Sequence, residues 1–181
     1  MSDTTGTANS AHPVTRAAEG HWVLDPAGSS VRFACKGFWG MANVKGTFGD
    51  VDGQGDVQGG AAQGTLTLKS ASLDTKNAKR DKHLRSGDFF DAENHPEVVF
   101  TARSLTPAGA DAVEVAGDLT IREISRPLTF TATVSDATAD AATVTAEVTV
   151  KRSDFGMTWN QMGSLADNAK VIVTARFVHK G

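Results

Sequence analysis

Between Arg80 and Pro96 the chain reads RDKHLRSGDFFDAENHP, with two histidines, three aspartates and a glutamate around a Phe-Phe pair. A general base would use His83 with Asp81 or Asp88 as its orienting carboxylate. On a helix, however, His83 and Asp81 are two residues apart and do not face each other. No Ser or Cys stands in position as a nucleophile. A metal site would draw on His83, His95 and the nearby carboxylates, but their spacing fits no compact zinc pattern, and Pro96 holds His95 in extended backbone. The segment is therefore read as structural, with no catalytic residue, metal ligand or cofactor. A polar helix whose main apolar residue is Leu84 covers one end of the fold, and Phe89 or Phe90 turns into the core as a plug. Arg85 and Asp88, with His83 in the same brace, are expected to satisfy backbone groups exposed at that rim.

Arg152 and Asp154, in KRSDFG, follow a strand and enter a Gly turn. A rim ion pair is the plainer reading, and a ligand head-group contact the other. Cys35 shares a strand face with Val31 and Phe33, which makes it a small buried hydrophobe without a basic partner to activate it. Two loops hold large apolar residues outside any strand alternation: Phe38, Trp39 and Met41 in GFWGM, and Met157, Trp159 and Met162 in GMTWNQM. Flexible Met and Trp surfaces suit adaptable apolar contacts, so these six are candidates for a cavity mouth, with capping of the core as the other reading.

The elements that must position these residues are strands. In PLTFTATV, Leu128, Phe130, Ala132 and Val134 face one way, and Thr129, Thr131 and Thr133 the other. ATVTAEVTV and GTLTLK repeat the pattern, which is that of antiparallel sheet with one dry face. Runs bounded by Gly, Pro, Asp or Asn give eight strands, roughly 29–36, 41–50, 62–70, 97–104, 111–121, 127–135, 142–152 and 169–178, after a short HWVLD run. A single short helix is expected over 76–86, capped by Asp74 or Thr75, with an Asp81–Arg85 pair on its surface. DVDGQGDVQGGAAQG lacks the Lys-Ser/Thr ending and following helix of a phosphate cradle, and reads as a loop.

Composition narrows the function. A length of 181 residues suits one domain, and a net charge of −3 without a clustered basic run argues against nucleic acid. One cysteine permits no internal disulfide, which suits a reducing compartment. Residues 1–19 are small and polar, without an apolar signal core, and are read as a disordered tail before a domain at 20–181. No apolar run is long enough to span a bilayer, so a cytoplasmic location is expected.

The strings LDPAGSSVRFACK, VKGTFGDVDG, SLDTKNAKRDKHLRSGDFFDAENHPEVVF, GDLTIREISRPLTF and VKRSDFGMTWN follow one another in an order that resembles the YceI-like family of lipocalin-like proteins, from about Trp22 to Phe177. The resemblance implies an all-β fold, an eight-stranded antiparallel barrel open at one end, and binding of long isoprenoid or acyl chains, quinone-type lipids included. One departure is Gly37, where family sequences often carry a histidine. Within such a barrel the alternating apolar set Phe33, Leu66, Phe100, Leu119, Phe130, Val148 and Phe177 should line an elongated pocket. The expected partner is then a long-chain isoprenoid or fatty-acyl lipid, held without catalysis, and a homodimer is admitted. The alternative is a cavity enzyme, such as a cyclase that folds a polyene or polyketide by orientation alone.

Overall fold

The computed structural model describes residues 12–181, without the side chains of Phe38 and Gln161. It contains eleven strands: β1 (Gly20–Leu24), β2 (Ser30–Gly37), β3 (Ala42–Phe48), β4 (Val51–Gln58), β5 (Ala61–Lys69), β6 (Leu73–Asp74), β7 (Glu97–Pro107), β8 (Ala112–Ile121), β9 (Ile124–Ser135), β10 (Ala141–Lys151) and β11 (Asn168–His179). Eight of them close a ring in the order β1-β4-β5-β7-β8-β9-β10-β11, and β1 pairs back onto β11. Every pairing is antiparallel, and the seam is Trp22 opposite His179, Val23 opposite Val178 and Leu24 opposite Phe177. The remaining edge of β11, Ala169 to Thr174, takes up β2. β3 and then β6 follow outward and extend the wall at one end.

This is the eight-stranded antiparallel barrel expected from the sequence, but two ring members differ from the runs counted there. β1 and β4 belong to the ring, while β2 and β3 form its extension. β4 comes from the Gly-rich stretch read as a loop, and that reading was wrong. Val51, Gly53, Gly55 and Val57 occupy its inward positions, so half of the dry face carries no side chain to advertise a strand. The turn into β5 is Gly59-Gly60, with φ of 60° and 79°, the double left-handed geometry of a tight hairpin. Arg122 and Glu123 adopt the same geometry between β8 and β9.

Two apolar clusters line the barrel at its two ends. One, toward the extended end, gathers Val31, Phe48, Leu73, Phe89, Val98, Ile121, Val150, Phe155 and neighbours. The other, at the far end, gathers Val14, Val113, Val115, Ala132 and Val134. Val14 lies in α1 (Pro13–Arg16), a single turn whose cap is His12. The His12 ring reaches the Ala112 carbonyl at 2.9 Å, and the Ala18 N–H donates to Ala139 at 2.9 Å. Residues 12–19, expected in the tail, are thus laid across the far end of the barrel, and 1–11 are outside the described residues.

α2 (Ala78–Arg85) covers the extended end. Its cap is Asn77, whose side chain accepts from the Arg80 N–H, and not Asp74 or Thr75. Nor does Asp81 pair with Arg85. Asp81 is buried and accepts from the Thr75 N–H and hydroxyl, while Arg85 donates to the carbonyls of Ala71 and Leu73 at 3.0 and 2.7 Å. Among the described residues no helix is long and apolar enough to cross a membrane.

Candidate functional site

Inward alternation on eight strands, with small residues at several positions, leaves a cavity of about 570 Å³ along the barrel axis. Its floor is α1, through Pro13, Val14 and Ala17, and its ceiling is α2 with the segments that follow it and β10. Phe33, Leu66, Phe100 and Leu119 all stand on its wall, as do Phe130, Val148 and Phe177. Phe100 and Phe130 meet at 5.5 Å between ring centres, and Phe33 and Phe48 at 5.3 Å. All seven residues named from strand alternation are therefore brought together on one surface.

The six loop residues divide. Met157 is buried in the ceiling, and Trp159 is half-buried on the cavity wall. Trp159 packs edge-on to His83 at 4.4 Å and against Phe89 at 5.6 Å, so it belongs to the plug. Trp39, Met41 and Met162 do not line the cavity, and are 65, 84 and 82% exposed. The Phe38 side chain is outside the described residues. The two loops nevertheless meet, because the Trp39 N–H donates to the Ser164 carbonyl at 3.0 Å.

The structural rim holds two corrections. Asp88 is exposed, and its carboxylate meets His83 Nε2 at 2.8 Å instead of backbone donors, so the buried acceptor at this end is Asp81. Arg152 is buried and makes no pair with Asp154, which is exposed. Its Nε donates to the Ala166 carbonyl at 2.8 Å, Nη1 to Met157 at 2.8 Å and Trp159 at 3.3 Å, and Nη2 to Leu165 at 3.3 Å. Its guanidinium carbon also lies 6.0 Å from the centre of the Phe89 ring. A buried guanidinium is tolerated here because carbonyl dipoles replace its water. With its donors so occupied it is a staple for residues 157–166 and not a rim ion pair. Arg85 does brace backbone at the rim, as expected.

Sequence reasoning missed the floor and the neighbour of Cys35. A one-turn helix has no periodicity to detect, although Val14 is an apolar residue in an otherwise polar segment. Cys35 lies on the cavity wall, its Sγ 3.3 Å from the Ala166 carbonyl, with Arg152 close by. Burial pushes its thiol pKa up, opposed by the Arg152 charge and hydrogen bond. Asp167 is held below the usual carboxylate range by the Ser153 hydroxyl and N–H, with the Arg152 charge a smaller contribution. His95 stands apart from His83, 3.7 Å from both Asp91 and Glu123.

The family model for the YceI-like domain matches residues 22–177. A UPF0312 protein of Pseudomonas putida is 34% identical over 126 residues, 65% of this chain and 66% of that protein, so the match spans about two thirds of the relative's length. The crystal structure of Burkholderia cenocepacia BcnA superposes with a TM-score of 0.76 at 23% identity, covering 86% of this chain and 99% of the other. A polyisoprenoid binding domain from Saccharophagus degradans, implicated in plant cell wall breakdown, superposes with a TM-score of 0.74 at 14% identity, covering 88% and 98%. At these identities the two structures speak for the fold, while the family model spans most of the chain. The chain belongs to the YceI-like domain family.

Proposed function

We propose that this protein binds and carries a long-chain isoprenoid or fatty-acyl lipid, quinone-like molecules included, inside the barrel and without chemistry. The observation that carries the reading is the cavity of about 570 Å³ between two apolar clusters, walled mainly by Val, Leu, Phe and Ala. Its titratable wall residues gather under α2 as Arg80, His83 and Arg152, with Cys35 beside Arg152; Asp56 of β4 is exposed and 3.3 Å from His21. A chain laid along such a wall gains about 0.8 kcal/mol per methylene, so roughly ten methylenes contribute about 8 kcal/mol before ordering costs. The name of the Saccharophagus domain, which has the same fold, supports an isoprenoid as the ligand class. The unpaired Cys35 suits a reducing compartment, and we place the carriage in the cytoplasm.

A second reading, a cavity enzyme acting on a polyene or polyketide, rests on His83, which stands on the wall with Asp88 2.8 Å from its ring. Mass spectrometry of lipid extracted from the purified protein separates the two. An unmodified long-chain species in wild type, lost in a folded Ala146→Trp variant, supports carriage, because Ala146 touches both clusters at the cavity waist. Lipid content unchanged by Ala146→Trp would place the lipid outside the barrel. Turnover of an added polyene that His83→Ala abolishes would establish the enzyme.

A further inference from the structure

The extended end of the barrel is unlike the rest in charge as well as apolarity. From Ser30 to Phe48 the chain carries Arg32, Lys36 and Lys45 and no acidic residue. α2 carries Lys79, Arg80, Lys82 and Arg85 against Asp81 alone, and Asp81 is buried on Thr75. Each segment is thus +3, which leaves −9 on the remainder of a chain whose net charge is −3. The two are neighbours, since β6 pairs with the end of β3 and leads into α2. Lys36, Lys45, Lys79 and Lys82 are exposed, and none forms an ion pair among the described residues. Carboxylates at this end lie on other segments: Asp74 is paired with Lys76, Asp88 is engaged by His83, Asp91 by Asn94 and Asp167 by Ser153, while Glu93 and Asp154 are exposed.

Within this basic surround stand the exposed Trp39, Met41 and Met162. Gly37 and Val44, on either side of the first loop, and Leu165, just after the second, line the cavity, so the exposed residues sit at its rim. Trp39 and Met162 both hold left-handed backbone, with φ of 54° and 55°, and each precedes a glycine of positive φ. A bulky residue seldom adopts that conformation, and here it goes with a side chain left in water.

We propose that this end docks on an anionic phospholipid bilayer. Trp39, Met41 and Met162 enter the boundary between headgroups and acyl chains, where indole and thioether side chains are favoured. Lys36, Lys45, Lys79 and Lys82 lie against lipid phosphates, an attraction that salt screens. A chain then passes between bilayer and barrel without crossing water. That last step rests on the lipid-carrier reading; the docking itself does not.

The test is flotation of the protein with phosphatidylcholine vesicles, with and without phosphatidylserine, beside solution binding of a fluorescent acyl probe. Wild type should float with the phosphatidylserine vesicles, weakly with phosphatidylcholine alone, and less as salt rises. A Trp39→Ser, Met41→Ser, Met162→Ser variant should lose about tenfold in partitioning, as should Lys36→Glu with Lys79→Glu and Lys82→Glu. All these positions are exposed, and unchanged melting confirms that each variant folds. Equal flotation of wild type and both variants overturns the proposal. So does a wild type that ignores vesicles but dimerises through this face, as shown by sedimentation that the triple Ser variant makes monomeric. A wild type that floats but binds no probe supports docking and sinks the carrier reading; probe binding without flotation does the reverse.

Discussion

Replacing Arg152 by Met keeps much of the apolar stem and removes every donor. Arg152 is 7% exposed, and its guanidinium holds four carbonyls on residues 157–166. The bond to Met157 is fully buried, so that carbonyl is left without water, and an orphaned buried polar group costs about 1–3 kcal/mol. The Ala166, Trp159 and Leu165 carbonyls are part-buried and can turn partly to solvent, which makes their loss smaller. Removing a charge from a buried site returns some of its desolvation cost. The net expectation is a loss of about 3 kcal/mol, a large share of the roughly 5–15 kcal/mol that holds a domain folded. Arg152→Lys keeps the charge but cannot span four acceptors, and should fall between the two. Urea unfolding gives the answer through the midpoint at constant slope. Asp154→Ala should stay within about 0.5 kcal/mol of wild type, because that side chain is exposed and unpaired with Arg152. If Arg152→Met costs under about 1 kcal/mol, or Asp154→Ala matches it, the staple is wrong and the rim ion pair returns.

The two carboxylates of the α2 region should separate in the same assay. Asp81→Ala orphans a buried N–H and hydroxyl of Thr75 and should cost about 2 kcal/mol, whereas Asp88→Ala, losing an exposed partner of His83, should cost under about 1 kcal/mol. Cys35 should set an alkaline limit. Its folded thiol pKa is raised, so the folded state keeps the proton longer than the unfolded chain. Its contribution is complete below the unfolded thiol value of about 8.5 and is lost as pH rises through the folded value. Wild type should therefore lose urea stability relative to Cys35→Ala above about pH 8.5, and a constant difference from neutral to alkaline pH would contradict the assigned burial. Iodoacetamide should label Cys35 more slowly than an unfolded thiol, and more slowly still with a probe in the cavity.

How much of this was legible in the sequence follows from the range of each interaction. β9 and β10 announce themselves because Thr and Val alternate on a two-residue period, and the same alternation names the wall residues. β4 is hidden because glycines occupy two of its four inward places, Gly53 and Gly55. Asp81 and Asp88 look alike in a string of charges. Which of them is buried depends on Thr75 being folded against α2, a contact that no local pattern encodes. Arg152 is harder still, since its acceptors are main-chain carbonyls, which have no signature in residue type. Its neighbour Cys35 is 117 positions away in sequence and adjacent only in the barrel.

The cavity itself is the least legible feature, because alternation says which face is dry and nothing about whether that face is filled. The waist is open for a reason visible only once the strands are placed. Ala146 of β10 touches both clusters, and it shares the cavity wall with Ala62, Gly64, Ala102 and Ala142. Small residues from three ring strands, β5, β7 and β10, stand on that wall, and of the partly buried apolar residues only Phe130 and Ala146 pack against both clusters. An apolar void is costly, at about 24 cal/mol per Å³ where cavities have been cut into a packed core. Water is a poor filler along most of this wall, since an ordered water needs two to four polar partners and the wall is mainly Val, Leu, Phe and Ala. On the lipid-carrier reading, an apolar occupant stabilises the folded barrel. Ala146→Trp should replace part of that occupant with side chain, raising the melting temperature of lipid-stripped protein as it removes the lipid site. A stripped Ala146→Trp variant less stable than stripped wild type would mean that the waist is already packed.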